Sequence, residues 1–265
     1  MKYTLTSSKD SKLLENLIIK YGQIVTINQI SDEAKKNLNQ SQIEYLISSL
    51  TKKGWLIRVK KGLYVISDLS NRGFLSLSSY IIANLLVKNS YVSFESALQY
   101  HGMFDQLTNK IISISLKEHK DVNLQNTEYN FIKTKTDYYF GFKKIIIDNQ
   151  NAQIATQEKA LCDIINFHRS IYSIDLVIEK LKNYKNNINF IQMQNNIKQL
   201  SMTTLKIFGF IFDLLNIDSS ELLKQSKTTK TAHKMTSDSR IFNAKWRLYY
   251  DSYFGKLLTL KNKLK

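Results

Sequence analysis

Between Gln40 and Lys61 the sequence sets hydrogen-bonding side chains beside a run of cations, a pairing of groups suited to reading and gripping a nucleic acid. Gln40, Ser41, Gln42, Tyr45, Ser48 and Ser49 carry amides and hydroxyls that could meet base edges. Lys52, Lys53, Arg58, Lys60 and Lys61 supply charge for phosphates, which adds affinity without reading sequence. Ile43, Leu46, Ile47 and Leu50 fall at i, i+3, i+4 and i+7, so a helix here buries one face and turns Ser41, Tyr45, Ser48 and Lys52 outward. Gly54 stops that helix. Residues 55–59 then alternate as a strand, predicting Ile57 and Val59 on one side and Arg58 and Lys60 on the other. Lys60, Lys61 and Gly62 turn the chain into a second strand over 63–66. A helix with a slender polar face followed by a hairpin with a basic tip has the form of a winged helix-turn-helix.

Catalytic constellations are missing by comparison. There is no Asp-x-Asp pair, no Gly-Ser dipeptide and no G-x-G or Walker-type loop, so the usual metal-holding signature of a nucleotidyltransferase is absent. His101, His119, His168 and His233 are scattered, and the sole cysteine, Cys162, sits at the edge of an apolar stripe, a spacing that fits neither zinc nor thiol chemistry. The expectation is a non-enzyme without cofactor or metal. A nuclease assembled from scattered acids is the enzymatic alternative; a stand-alone regulator or a basic adaptor that docks a protein or RNA is the other.

The rest of the sequence must position these groups. Its 265 residues, 43% of them hydrophobic, suffice for one large or two ordinary domains. With 38 basic against 22 acidic residues the net charge is +16, which favours a polyanionic partner. One cysteine allows no internal disulfide, no apolar h-region opens the chain, and no apolar run approaches the ~18 residues of a membrane span, so a soluble cytoplasmic protein is expected.

Ser8 or Asp10 can cap a first helix that ends at Gly22, and Thr26 a second that ends near Lys36. With the helix of residues 40–52 and the hairpin, these make an N-terminal domain over residues 1–70, closed by the polar connection 67–73. A larger domain over 74–265 follows, with helices at 76–88 and 94–100 and a mixed sheet between about 91 and 168. In that sheet Ile112 and Ile114 alternate with Ser113 and Ser115. Thr156 caps a helix whose buried stripe is Ala160, Leu161, Ile164 and Ile165. Residues 170–265 read as mainly helical, with a polar loop or linker over 225–240, a strand pattern at Trp246, Leu248 and Tyr250, and a helical pattern over 253–264. From Lys224 onward eleven Lys and Arg face two acids, a second candidate for nucleic-acid contact. The fold class is therefore α+β, a winged helix-turn-helix followed by a mixed α/β domain with a helical C-terminal part.

Three segments, KKGWLIRVKKGLYVI (52–66), YVSFESALQYHG (91–102) and IATQEKALCDII (154–165), resemble the AbiEi-type antitoxins of type IV toxin-antitoxin systems, in order and spacing over roughly residues 10–168. The resemblance implies a bacterial phage-defence protein whose N-terminal winged helix represses its own operon by binding repeats in double-stranded promoter DNA. It also implies a C-terminal domain that counteracts a neighbouring nucleotidyltransferase-like toxin, with or without direct contact. Within the matching motifs Ser93 reads as a helix cap. Glu158 and Asp163 read as charges at a helix start and on its free face, or, with Lys159, as functional groups of the second domain.

Overall fold

The computed structural model describes residues 6–256 apart from 36, 68, 69, 71 and 107, so part of the expected connection at 67–73 lies outside the described residues. Helix α1 (Ser8–Tyr21) is capped by Ser7, whose hydroxyl accepts from the Asp10 N–H at 3.1 Å, in place of the expected Ser8 or Asp10. Strand β1 (Ile24–Thr26) leads into α2 (Ile27–Ala34), where Thr26 and Gln29 cap one another reciprocally. α2 stops at Ala34, ahead of the expected end near Lys36, itself outside the described residues. Helix α3 (Gln40–Lys52) starts the same way: Asn39 Oδ1 accepts from the Gln42 N–H at 3.0 Å and Gln42 Oε1 accepts from the Asn39 N–H at 2.9 Å.

β2 (Leu56–Lys60) and β3 (Leu63–Ile66) form a hairpin, and β1 pairs with β3 to give an antiparallel sheet of order β1-β3-β2. Leu14, Leu17, Val25, Ile30, Ile43, Ile47, Leu50 and Leu56 form the core beneath it. The expected alternation holds in part, with Arg58 and Lys60 exposed and Val59 buried, but Ile57 is covered less than Leu56. The register slips between Arg58 and Lys60, and this bulge makes Leu56 and Val59 the buried residues and leaves Ile57 half-buried. Lys60 pairs with Leu63, so Lys61 and Gly62 alone make the turn, Gly62 at φ +78°.

Beyond it, Ser78 caps α4 (Ser79–Leu86), which is shorter at both ends than the pattern over 76–88 predicts. β4 (Ser90–Val92), α5 (Phe94–Tyr100), β5 (Lys110–Ser115), β6 (Val122–Leu124), β7 (Thr127–Lys133), β8 (Phe142–Ile147) and β9 (Gln150–Ala155) follow. The six strands make one mixed sheet in the order β6-β7-β5-β4-β9-β8, with β7 and β5 parallel, β4 and β9 parallel, and the other pairs antiparallel. Ser113 and Ser115 do not form a solvent face. β5 is an interior strand between β4 and β7, and both serines are small enough to be fully covered.

Helix α6 (Gln157–Phe167) packs against α5, β9, α7 (Ile171–Asn183), α8 (Phe190–Lys198) and α9 (Met202–Leu215). It is therefore buried all round, not along one stripe. α10 (Ser220–Ser226) precedes a three-stranded sheet of β10 (His233–Lys234), β11 (Ile241–Asn243) and β12 (Leu248–Tyr250), ordered β10-β12-β11. This refines two expectations. The C-terminal part is mainly helical, with a strand at 248–250, and the polar run 225–240 is a loop for most of its length but packed rather than a linker: Met235 is fully buried, and the Thr236 and Ser239 hydroxyls donate to Asp251 Oδ2 at 3.0 and 2.7 Å. Hydrogen bonds rather than apolar periodicity order that segment. Trp246 lies in the turn before β12, not in a strand. Residues 252–256 are helical, and the remainder of the expected helix over 253–264 lies outside the described residues.

Candidate nucleic-acid interface

The outward face of α3 is built by its core. Ile43, Ile47 and Leu50 point inward, with Leu46 half-buried, which leaves Gln40, Ser41, Gln42, Tyr45, Ser48 and Lys52 exposed and Ser49 half-exposed. Tyr45 stands out at 77% exposure, too much for a core role. The groups in the first turn are partly committed to the helix. Gln42 Oε1 is held by the cap, Ser41 Oγ donates to Asn39 Oδ1 at 2.9 Å, and Gln40 Nε2 donates to Glu44 Oε1 at 3.0 Å. Tyr45 and Ser48, one turn on, are the outward groups least tied to that network. Asn39, the residue that aims this turn, was absent from the sequence-derived site, although an Asn three residues before a Gln is the signature of a capping box.

The cations divide. Lys52, Arg58 and Lys61 are exposed. Lys53 is half-exposed and ion-paired with Asp10 at 3.9 Å, which ties the end of α3 to α1. Lys60 is exposed, yet its ammonium donates to the Leu86 carbonyl at 3.1 Å, so one of its three N–H groups holds the hairpin to the end of α4.

A second polar group lies deep in the larger core. Lys159 and Asp163 of α6 form an ion pair without accessible surface. Asp163 Oδ2 also accepts from Ser93 Oγ at 2.7 Å and from Tyr91 Oη at 3.2 Å. Burial pushes the Asp163 carboxyl above its ordinary range, and Lys159, Ser93 and Tyr91 pull it back. Burial, followed by the carboxylate, pushes the Tyr91 phenol strongly up, and burial raises the Cys162 thiol as well. The reading of Asp163 as a free-face charge is thus overturned, and Glu158 is buried too, its Oε1 accepting from the Asn189 N–H at 3.0 Å. Ser93 occupies the N-cap position of α5 but makes no side-chain cap hydrogen bond, and its hydroxyl donates to Asp163. Among the described residues no three His, Cys, Asp or Glu side chains are grouped to hold a metal ion, and no helix is long and apolar enough to cross a membrane.

α1, β1, α2, α3 and the β2–β3 hairpin coincide with the part of the chain that matches a family model. Residues 12–67 match the model of a family described as transcriptional regulator, AbiEi antitoxin, which bears out the resemblance over that range. The fold as a whole is similar to the crystal structure of the RV2827C protein from Mycobacterium tuberculosis, with a TM-score of 0.67 over 97% of this chain and 96% of that one; at 11% identity the likeness is one of fold. No curated protein matches the sequence.

Proposed function

We propose that this protein is a DNA-binding antitoxin of the AbiE type. Residues 1–70 serve as a winged helix-turn-helix and residues 74–265 as the antitoxin domain. α3 is the recognition helix in the major groove, with Tyr45 and Ser48 at base edges and the caps of its first turn at the groove's rim, and the β2–β3 hairpin is the wing. Lys52, Lys53, Arg58, Lys60 and Lys61 meet phosphates, Lys53 and Lys60 while also bracing the domain. Bound to promoter DNA, the protein represses its own operon, and its second domain counteracts a nucleotidyltransferase-like toxin. The observation that carries this reading is the continuous polar face of α3, centred on the exposed Tyr45, in the segment matched to a transcriptional-regulator family. Binding of the full chain to its own promoter DNA, followed as salt is raised, tests it: affinity falls steeply when several phosphates are contacted, and a flat response rejects the DNA role.

A further inference from the structure

Helix α9 is largely apolar, yet it carries Lys206, which has no accessible surface. The Lys206 ammonium donates to the Thr231 carbonyl at 2.6 Å, at the approach to β10. Three residues earlier, on the same side of α9, Thr203 Oγ1 lies 2.7 Å from His233 Nδ1. The His233 N–H in turn donates to the Arg247 carbonyl at 3.0 Å, which sets the turn before β12 beside the histidine. Arg247 occupies a left-handed backbone conformation, φ +49°, and Trp246 anchors that turn by donating from Nε1 to Asp213 Oδ2 at 2.7 Å. Arg169 lies in the link between α6 and α7, and Asn166, three residues before it, is tied to α9 by Thr204 Oγ1 donating to Asn166 Oδ1 at 2.8 Å.

We propose that Arg169, Lys206, His233 and Arg247 form a binding site for a phosphate group, separate from the α3 interface and independent of the DNA reading given to it. Four basic side chains from four segments lie within electrostatic reach pairwise, Arg247 of Lys206, and Lys206 and Arg169 of His233. Burial and then Arg247 hold Lys206 below the ordinary lysine range, while burial, Lys206 and Arg169 hold His233 below the ordinary histidine range, so every charge acting on these two is positive. The acids of the region are spent elsewhere. Asp213 is bound by Lys245, Trp246 and Ser219, and Asp251 by Thr236 and Ser239. Among the described residues the guanidinium groups of Arg169 and Arg247 have no hydrogen-bond or ion-pair partner. Two unengaged guanidinium forks beside a buried ammonium suit a tetrahedral oxyanion that takes several N–H donors at once, and a shared anion removes the mutual repulsion.

The test is the titration of the His233 imidazole in the full chain, followed by NMR in chloride, in inorganic phosphate and with a short single-stranded DNA, all at one ionic strength. Phosphate should raise the His233 midpoint by about half a pH unit or more, as a nearby counter-charge would. The exposed-site double variant Arg169→Gln/Arg247→Gln should abolish the phosphate-dependent rise of His233. A rise with DNA alone also supports the site and makes the source a nucleic-acid backbone rather than a free phosphate. Equal midpoints in all three conditions overturn the proposal, as does a rise that persists in the double variant, which would mark an adventitious ion only.

Discussion

Ser93 Oγ donates to Asp163 Oδ2 at 2.7 Å, across 70 residues of sequence, and so joins the strand end before α5 to the central helix α6. The two residues lie in two of the segments that carry the family resemblance, 91–102 and 154–165. Their shared feature is a core junction, with Lys159 as counter-ion and Tyr91 as a further donor. Nothing reaches this carboxylate from solvent, which fits a positioning role rather than catalysis.

The first prediction follows from that burial. Removing one partner of a buried ion pair leaves the other charge uncompensated, at a cost of about 3–5 kcal/mol. Asp163→Asn and Lys159→Met should each lower stability by that order, and the double variant should lose clearly less than the sum, because neither charge is then stranded. Urea unfolding of the three variants measures the coupling. Strict additivity would show that the two side chains do not depend on one another.

These contacts also mark where the sequence stops being legible. The N-terminal elements announce themselves through local signals: Thr26 and Gln29 as a capping box, the spacing of Ile43, Ile47 and Leu50, and the Lys61-Gly62 turn. Those signals act over a few residues and survive without the rest of the fold. The bulge between Arg58 and Lys60 has no such local signal, and Val59 and Val65 beside it pack into the larger core rather than the N-terminal one. Asp163 was misplaced for a similar reason. Periodicity finds one apolar face, and a helix enclosed on all sides has polar residues whose partners lie far along the chain. Residues 225–240 lack apolar periodicity, and Thr236 and Ser239 within them are held by Asp251 further along the chain, whereas a lone lysine in the apolar helix α9 was a visible anomaly that pointed to the proposed cationic site.

Gly209 gives the second prediction. A Cβ at this position of α9 would fall inside the van der Waals envelope of the Trp246 indole, which is buried and pinned by Asp213. Alanine gains about 1 kcal/mol of helix propensity, but overpacking a fixed ring costs about 1–3 kcal/mol or more, so Gly209→Ala should be destabilising on balance. Adding Trp246→Phe should recover part of the overpacking loss by making room. Thermal unfolding measures both effects, and a Gly209→Ala protein as stable as wild type would show that the Trp246 turn yields freely.

For the proposed DNA interface, the structure separates two side chains that sequence spacing treats alike. Tyr45→Ala should reduce discrimination between operator and random DNA by about 1–3 kcal/mol with folding stability unchanged. Gln42→Ala removes a capping partner, so its binding loss should come with a drop in stability of about 1 kcal/mol. Arg58→Ala and Lys61→Ala should weaken all DNA similarly and reduce the salt slope by about one each. Binding isotherms on both DNAs at several salt concentrations, paired with unfolding curves, resolve these effects. Loss of discrimination by Arg58→Ala but not by Tyr45→Ala would reverse the assigned roles.

The last prediction concerns pH. His233 is held below its ordinary value of 6.5 by burial and by Lys206 and Arg169, so the unfolded chain binds a proton there more readily than the folded one. Stability from this group is complete above the unfolded value and is lost as pH falls below 6.5 toward the folded one. Unfolding midpoints recorded from pH 7.5 down to about 5 should therefore decline, and His233→Asn, which cannot take up a proton, should flatten that decline. Inorganic phosphate should flatten it as well in the wild-type protein, since an anion among Arg169, Lys206 and Arg247 brings the folded imidazole's proton affinity closer to that of the unfolded chain. A decline of equal depth in wild type and His233→Asn would assign the acid sensitivity to other groups and remove His233 from the account.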